Sequence, residues 1–213
     1  VLVPGSGRHL YRLHGSASGA FGYTSIGLVN PAPPGGMIAA DVDGDARDDL
    51  VYVKSGSGSI FWRRSLTDTS PALAAEAVLW AAPTGWRLVS APFVESEQRF
   101  RSIVRSGDFN GDGRVDLLVR AQLGLYCGKK CTNWVDRSLV LASNGSQLVQ
   151  GHVLNGSPEA LLADFNGDSH SDIGYWNAFG QWELLMGGGA RGTTLAMFGG
   201  PFPTPVYISS VGG

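Results

Sequence analysis

One nine-residue pattern occurs three times in this chain, and a repeated pattern limits the fold to an architecture of stacked or ringed units. The copies are Asp41-Val42-Asp43-Gly44-Asp45-Ala46-Arg47-Asp48-Asp49, Asp108-Phe109-Asn110-Gly111-Asp112-Gly113-Arg114-Val115-Asp116 and Asp164-Phe165-Asn166-Gly167-Asp168-Ser169-His170-Ser171-Asp172. In each, an Asp or Asn stands at positions 1, 3, 5 and 9. Each runs into an apolar stretch: Leu50-Val51-Tyr52-Val53, Leu117-Leu118-Val119 or Ile173-Gly174-Tyr175-Trp176.

An Asp/Asn/Gly turn would account for one copy. Three copies with the same four positions filled point to a shared ligand. Short oxygen-bearing side chains this close converge only if the backbone wraps around a point, and calcium takes six to eight oxygens at about 2.3–2.6 Å. The side-chain ligands expected are therefore Asp41, Asp43, Asp45 and Asp49; Asp108, Asn110, Asp112 and Asp116; and Asp164, Asn166, Asp168 and Asp172. Position 7 (Arg47, Arg114, His170) would give its carbonyl, leaving its side chain free to vary. Glycine at position 4 (Gly44, Gly111, Gly167) permits a tight bend. An EF-hand would require Gly at position 6 and Glu at position 12. Position 12 is Tyr52, Val119 or Tyr175, so these are calcium loops that open strands.

The three loops and the strand after each resemble the FG-GAP repeat of the integrin α-subunit propeller and its bacterial relatives, the VCBS repeats. The resemblance implies an all-β fold, a β-propeller, with each loop between strands of a blade and about three Ca2+ ions bound. Such repeats occur in adhesins, toxin shells, lectins and some polysaccharide lyases. The Gly-rich, sparsely charged units also resemble segments of bacterial RHS/YD-repeat and Tc-type toxin proteins, although no YD repeat is present.

Loop starts 67 and 56 residues apart suit a four-stranded blade each. Residues 1–11 resemble 51–61, and 206–213 resemble 160–167 with Ser210 in place of the first Asp. The chain thus reads as one domain, 1–213, of four units (1–40, 41–107, 108–163 and 164–213), either a small ring or an arc of a larger one. Within a unit, strands are expected at 50–54, 117–121 and 173–177, then near Phe61, Trp134 and Trp182, then near 78–80, 147–153 and 193–198. A last apolar segment (37–40, 103–104, 161–163) leads to the next loop. Pro71–Ala77 is helix-permissive, and 66–101 is the longest insertion.

With 31 Gly, 11 Pro and 16% charged residues, the composition is turn- and strand-rich. No apolar run of about 18 residues could span a membrane, and no basic run suggests nucleic acid. Beginning at Val1, the chain reads as part of a longer or processed protein. Cys127 and Cys131, without a nearby His, suit a small-loop disulfide better than zinc, and with the calcium loops they point to an extracellular or cell-surface location. Trp62, Trp134 and Trp182 share one register and read as core between blades. Trp80, Trp86 and Trp176 break it and are candidates for contact with glycans or partner chains. His9, His14, His152 and His170 have no metal spacing. No catalytic residue stands out.

The expectation is a non-catalytic calcium-stabilised module that binds protein partners or other domains of its own polypeptide. The alternatives are a lectin and a calcium-dependent polysaccharide-degrading enzyme. Acids outside the loops (Asp68, Glu76, Glu95, Glu97, Asp136, Glu159, Glu183) would have to serve the latter.

Overall fold

The apolar segments before and after each loop pair with each other as antiparallel strands. A computed structural model describes residues 2–4, 9–15, 21–28, 37–54, 58–66, 73–89, 103–127, 131–177, 179, 181–188 and 194–197. Among these there is no helix, and every strand pairing is antiparallel.

Four sheets follow one another along the chain. The first holds β1 (Leu2–Pro4), β2 (His9–Gly15) and β3 (Phe21–Leu28). The second is β4 (Met37–Ala40), β5 (Asp49–Val53), β6 (Ser59–Arg63) and β7 (Ala77–Ala81), in that order. The third contains β8 (Trp86–Leu88), β9 (Ile103–Gly107), β10 (Asp116–Cys127), β11 (Cys131–Ser143) and β12 (Leu148–Leu154). Here β10 is long enough to pair β9 with its first residues and β8 with Ala121–Leu123. The fourth runs β13 (Gly156–Ala163), β14 (Asp172–Asn177), β15 (Trp182–Met186) and β16 (Thr194–Met197).

The strands fall where the apolar pattern places them. The sheet boundaries do not follow the sequence units, which cut the chain at each loop. Because β4 pairs β5, β9 pairs β10 and β13 pairs β14, each loop joins neighbouring strands of one sheet. The helix-permissive stretch forms no helix over its described residues, 73–77. Ser65 bridges Leu73, and Ala77 opens β7, so residues 73–77 extend along the sheet. Residues 67–72 and 90–101 of the insertion, residues 206–213 and the side chains of the first sheet lie outside the described residues.

Successive side chains on a strand face opposite sides, and here each side meets a different neighbour. In β5 all five residues are buried. Leu50 and Tyr52 form one cluster with Met37, Phe61 and Leu73. Val51 and Val53 join another with Leu117, Val119, Leu139 and Leu141 of the third sheet. In β10, Leu118 turns the other way and packs with Phe109, Ile173, Tyr175 and Leu185 against the fourth sheet. The second, third and fourth sheets are therefore stacked face to face in series, as blades are, and the middle one is covered on both faces. No closed ring is formed by the described residues.

Loop position 2 reports the end of this series. Val42 and Phe109 are each 1% exposed beneath the next sheet, whereas Phe165 is 48% exposed. Phe109→Ala should accordingly cost about 3–5 kcal/mol, since it empties a filled core site. Phe165→Ala should cost about 0.5 kcal/mol, the size of a surface change. Chemical denaturation of both variants under one set of conditions checks this, and equal losses would contradict the stacking order.

Candidate metal centre

Each loop is held by its own first residue. Asp41 Oδ1 accepts the amides of Gly44 (2.8 Å) and Asp45 (3.1 Å), and its Oδ2 accepts Ala46 N (2.8 Å). Asp108 takes Gly111, Asp112 and Gly113 in the same way, and Asp164 takes Gly167, Asp168 and Ser169. Position 3 accepts the position-5 amide, and position 5 accepts the position-7 amide, in all three. The chain thus winds around a cluster of oxygens. Position 6 is left-handed in every copy, at φ 65° for Ala46, 81° for Gly113 and 69° for Ser169. The sharp turn that an EF-hand assigns to Gly is made here even where the residue is Ala or Ser.

The position-9 carboxylates are fully buried: Asp49, Asp116 and Asp172 are 0% exposed. Each ties its loop to the end of the neighbouring strand, just at or beyond β6, β11 or β15. Asp116 Oδ2 accepts Phe109 N (3.0 Å) and its Oδ1 accepts Ser143 N (2.8 Å). Asp172 accepts Phe165 N (2.7 Å) and Gly187 N (2.6 Å). Asp49 Oδ1 accepts Ser65 N (2.8 Å), but Oδ2 is buried with no hydrogen-bond partner. The Val42 amide, the equivalent of Phe109 N and Phe165 N, acts on this carboxylate as a weak backbone donor.

Asp49 belongs to the first loop's cluster, in which Asp41, Asp43 and Asp49 each bring one carboxylate oxygen within 4.8 Å of the others. Two oxygens on opposite sides of an ion at about 2.4 Å are about 4.8 Å apart, so the spacing suits calcium. The electrostatics agree. Burial lifts the Asp49 carboxyl from 3.8 to about 7, with repulsion from Asp43 and Asp45 adding to it against the Ser65 amide. An ionised group under that strain lacks a counter-charge, which a divalent cation would supply. Burial likewise lifts Asp116 to about 6, and Asp112 and Asp108 add to it. The cluster can hold a metal; Asn110 and Asn166 replace Asp43 in the second and third loops.

Position 5 behaves differently from the expectation. Asp45 is not among the three clustered acids; its Oδ2 pairs with Arg47 Nη2 at 2.5 Å. Asp112 pairs with Arg114 Nη1 at 2.9 Å. Asp168 bonds Asn166 Nδ2 (2.9 Å), and the His170 amide holds its carboxyl below the usual range. The position-7 side chains are each engaged. Arg47 and Arg114 fold back onto a carboxylate two residues earlier, and His170 lies over Gly111, where an added Cβ would stand 2.3 Å from its Cε1. Asp43, too, is claimed by a cation, taking Arg64 Nε at 2.6 Å.

The loops also bond to each other. Val115 N donates to Asp41 O (2.8 Å), and Ser171 N donates to Asp108 O (3.1 Å), in each case from position 8 to position 1 of the loop before. Ser143 Oγ donates to Val42 O across the same junction. At the equivalent point in the fourth sheet only glycine fits: a Cβ on Gly187 would fall 2.5 Å from Ser171 O and 3.1 Å from Phe109 O. Nothing in the spacing of the carboxylates announces these links. The signal available was the repeated glycine at position 4 together with a long side chain at position 7.

The remaining sequence candidates separate. Trp80 is 6% exposed within the core, which corrects its reading as a contact residue: it lies opposite Ile60 on the buried side of its sheet. Trp86 is half-buried against the same core, and Trp176 is half-buried with its ring edge-on to Trp182 at 5.6 Å. Trp62 is core, while Trp134 is half-buried and carries the Arg87 guanidinium 4.1 Å above its ring. Outside the loops, Glu76 bonds Tyr52 and Lys54, Glu183 bonds Tyr175 and Asn177, and Asp136 bonds Gln122. Cys127 and Cys131 face each other in the backbone register of the β10–β11 hairpin; their side chains lie outside the described residues.

The raised values at Asp49 and Asp116 have a definite consequence. The metal-free fold holds these protons more tightly than the unfolded chain does. The stability they contribute is full below about pH 4 and is lost as the pH rises through about 6 to 7. With chelator, the melting temperature should fall between about pH 5 and about pH 7.5; saturating calcium, which needs the ionised forms, should remove that fall. A rise over the same range in chelator would contradict it.

No curated protein and no solved structure matches the chain. A family model described as an FG-GAP-like repeat matches residues 41–119. That span contains the first two loops and the Val115–Asp41 bond that links them. Residues 41–119 therefore carry an FG-GAP-like repeat, in an all-β chain whose antiparallel sheets are of the kind that builds a β-propeller.

Proposed function

We propose that residues 1–213 form one propeller-type domain, calcium-stabilised and non-catalytic, that binds or scaffolds protein within a larger secreted or cell-surface protein. The observation that carries the reading is the oxygen cluster of the first loop, with a buried carboxylate oxygen that has no partner of its own. The same backbone winding in the other two loops supports one ion in each. Calcium here holds the fold: the position-9 carboxylates anchor loop to sheet, and the bonds between loops link one sheet to the next. The acids beside Tyr52, Tyr175 and Gln122 are engaged in cross-strand bonds, which favours a binding role over an enzymatic one. Adhesins and toxin shells are the settings that the sequence resemblance suggests.

Calorimetric titration with calcium should give about three sites. Metal bound only to the native state adds about 2.7 kcal/mol per site at a hundredfold excess over its dissociation constant. Domain stability is about 5–15 kcal/mol in total. Chelation should therefore lower the melting temperature markedly, and Asp112→Ala should reproduce part of the loss. Identical melting curves with chelator and with calcium would sink the proposal.

The extracellular assignment draws on these loops, since extracellular modules bind calcium in the millimolar range. It draws also on Cys127 and Cys131, paired across a hairpin where a disulfide can close. Mass spectrometry after alkylation without reductant should find neither thiol modified; two alkylated cysteines would count against the assignment.

A further inference from the structure

The two bonds between loops run through peptide groups that the calcium reading also uses. The Arg114–Val115 peptide gives its N–H to Asp41 O in the first loop. Its carbonyl is that of position 7, the backbone ligand expected for the second loop. The His170–Ser171 peptide repeats the arrangement, with its N–H on Asp108 O and its carbonyl in the third loop. The side chains follow the same direction. A Cβ on Gly44 would stand 3.2 Å from Arg114 Cγ, and one on Gly145, in the β11–β12 turn, would stand 3.2 Å from Arg114 Nε. Arg114 therefore lies in a slot between two bare glycines, one of them the bend of the preceding loop. His170 covers the bend of the second loop at Gly111 in the same sense.

From this we propose that the three loops bind divalent cations cooperatively and in series, with Arg114 and His170 as positioning residues for the loop before their own. The inference rests on the calcium reading. Without metal, the carboxylates of a loop repel one another and loosen it. A cation at the third loop fixes the His170–Ser171 peptide. The fixed peptide then presents its amide to Asp108 and holds the imidazole on Gly111, so part of the ordering that the second loop needs is already done. Polarisation of the shared peptide, metal on its carbonyl and acceptor on its amide, acts in the same direction. Coupling of this kind is reciprocal. The second loop bonds to both others and is the hub; among the described residues the first and third have no direct link.

The test is calorimetric titration of the full chain with calcium alone, for the unaltered protein, Asp168→Ala and His170→Ala. Asp168 is exposed and is an expected ligand of the third loop alone; because it also accepts the His170 amide, Asp168→Asn, which keeps that acceptor and loses the charge, is titrated beside it and should behave as Asp168→Ala does. His170→Ala keeps every proposed ligand, because position 7 binds through its carbonyl. The unaltered protein should bind more steeply than three independent sites allow. Asp168→Ala should remove one equivalent and weaken the next by about fivefold, the lower end of typical coupling. His170→Ala should keep three equivalents and flatten the curve. A side chain that served stability alone would lower the melting temperature and leave the shape of the titration unchanged. Near-ultraviolet circular dichroism in saturating calcium checks that each variant is folded. If Asp168→Ala loses one equivalent with the other affinities untouched, or if the His170→Ala curve superposes on the unaltered one, the coupling is overturned. Three independent sites would overturn the coupling alone, whereas no binding at millimolar calcium would overturn the calcium reading and the coupling with it.

Discussion

The stacking of the sheets depends on one hydrogen bond made twice, from the amide at loop position 8 to the carbonyl at position 1 of the loop before. It is a backbone bond, so it holds although the residues at positions 7 and 8 change from Arg114-Val115 to His170-Ser171. It fixes the distance between successive loops, and thereby the distance between the strands that grow out of them. β10 can then present Leu117 and Val119 to the second sheet and Leu118 to the fourth. The position-9 carboxylate carries the constraint inward. Through Asp116 the loop is tied to Ser143, and through the Ser143 hydroxyl to Val42 in the neighbouring loop. A buried carboxylate is costly unless hydrogen-bonded, and these bonds explain why it can sit at the root of the stack.

Much of the fold is legible in the chain itself. The loops give three fixed points, and the apolar runs beside them are too short and too β-branched for helices, so strand positions follow within a few residues. What escapes is information that passes between repeats. Position 9 is Asp in every copy, and only its hydrogen-bond partners, Ser65, Ser143 or Gly187, reveal that it clamps the loop to the next strand. Position 4 is glycine for its positive φ, which a single loop explains, but also for the side chain of the next loop lying over it, which no single loop can reveal. Trp80 was misplaced for a related reason: register counted from the turn ignores the bulge between Ile60 and Phe61, which brings Trp80 opposite Ile60 and into the core. The sheet boundaries escape because a hairpin loop and a joint between sheets have the same composition.

The arginines at position 7 bear on how such a loop exists before metal arrives. Arg47 and Arg114 each neutralise the carboxylate at position 5 of their own loop, and the paired side chains are 21–34% exposed. Ion pairs of that kind are worth about 0–1 kcal/mol, too little to oppose a divalent cation but enough to offset part of the repulsion among three or four acids. They stand where a cation's charge would otherwise be needed. The third loop has His170 there instead. Its position-5 acid is held by the His170 amide and the Asn166 side chain, which carry no full charge. The position-5 acids of the first two loops are thus compensated by a guanidinium, whereas Asp168 is compensated by amide donors with a smaller contribution from the His170 ring, so the loops meet the same need for counter-charge by different local means.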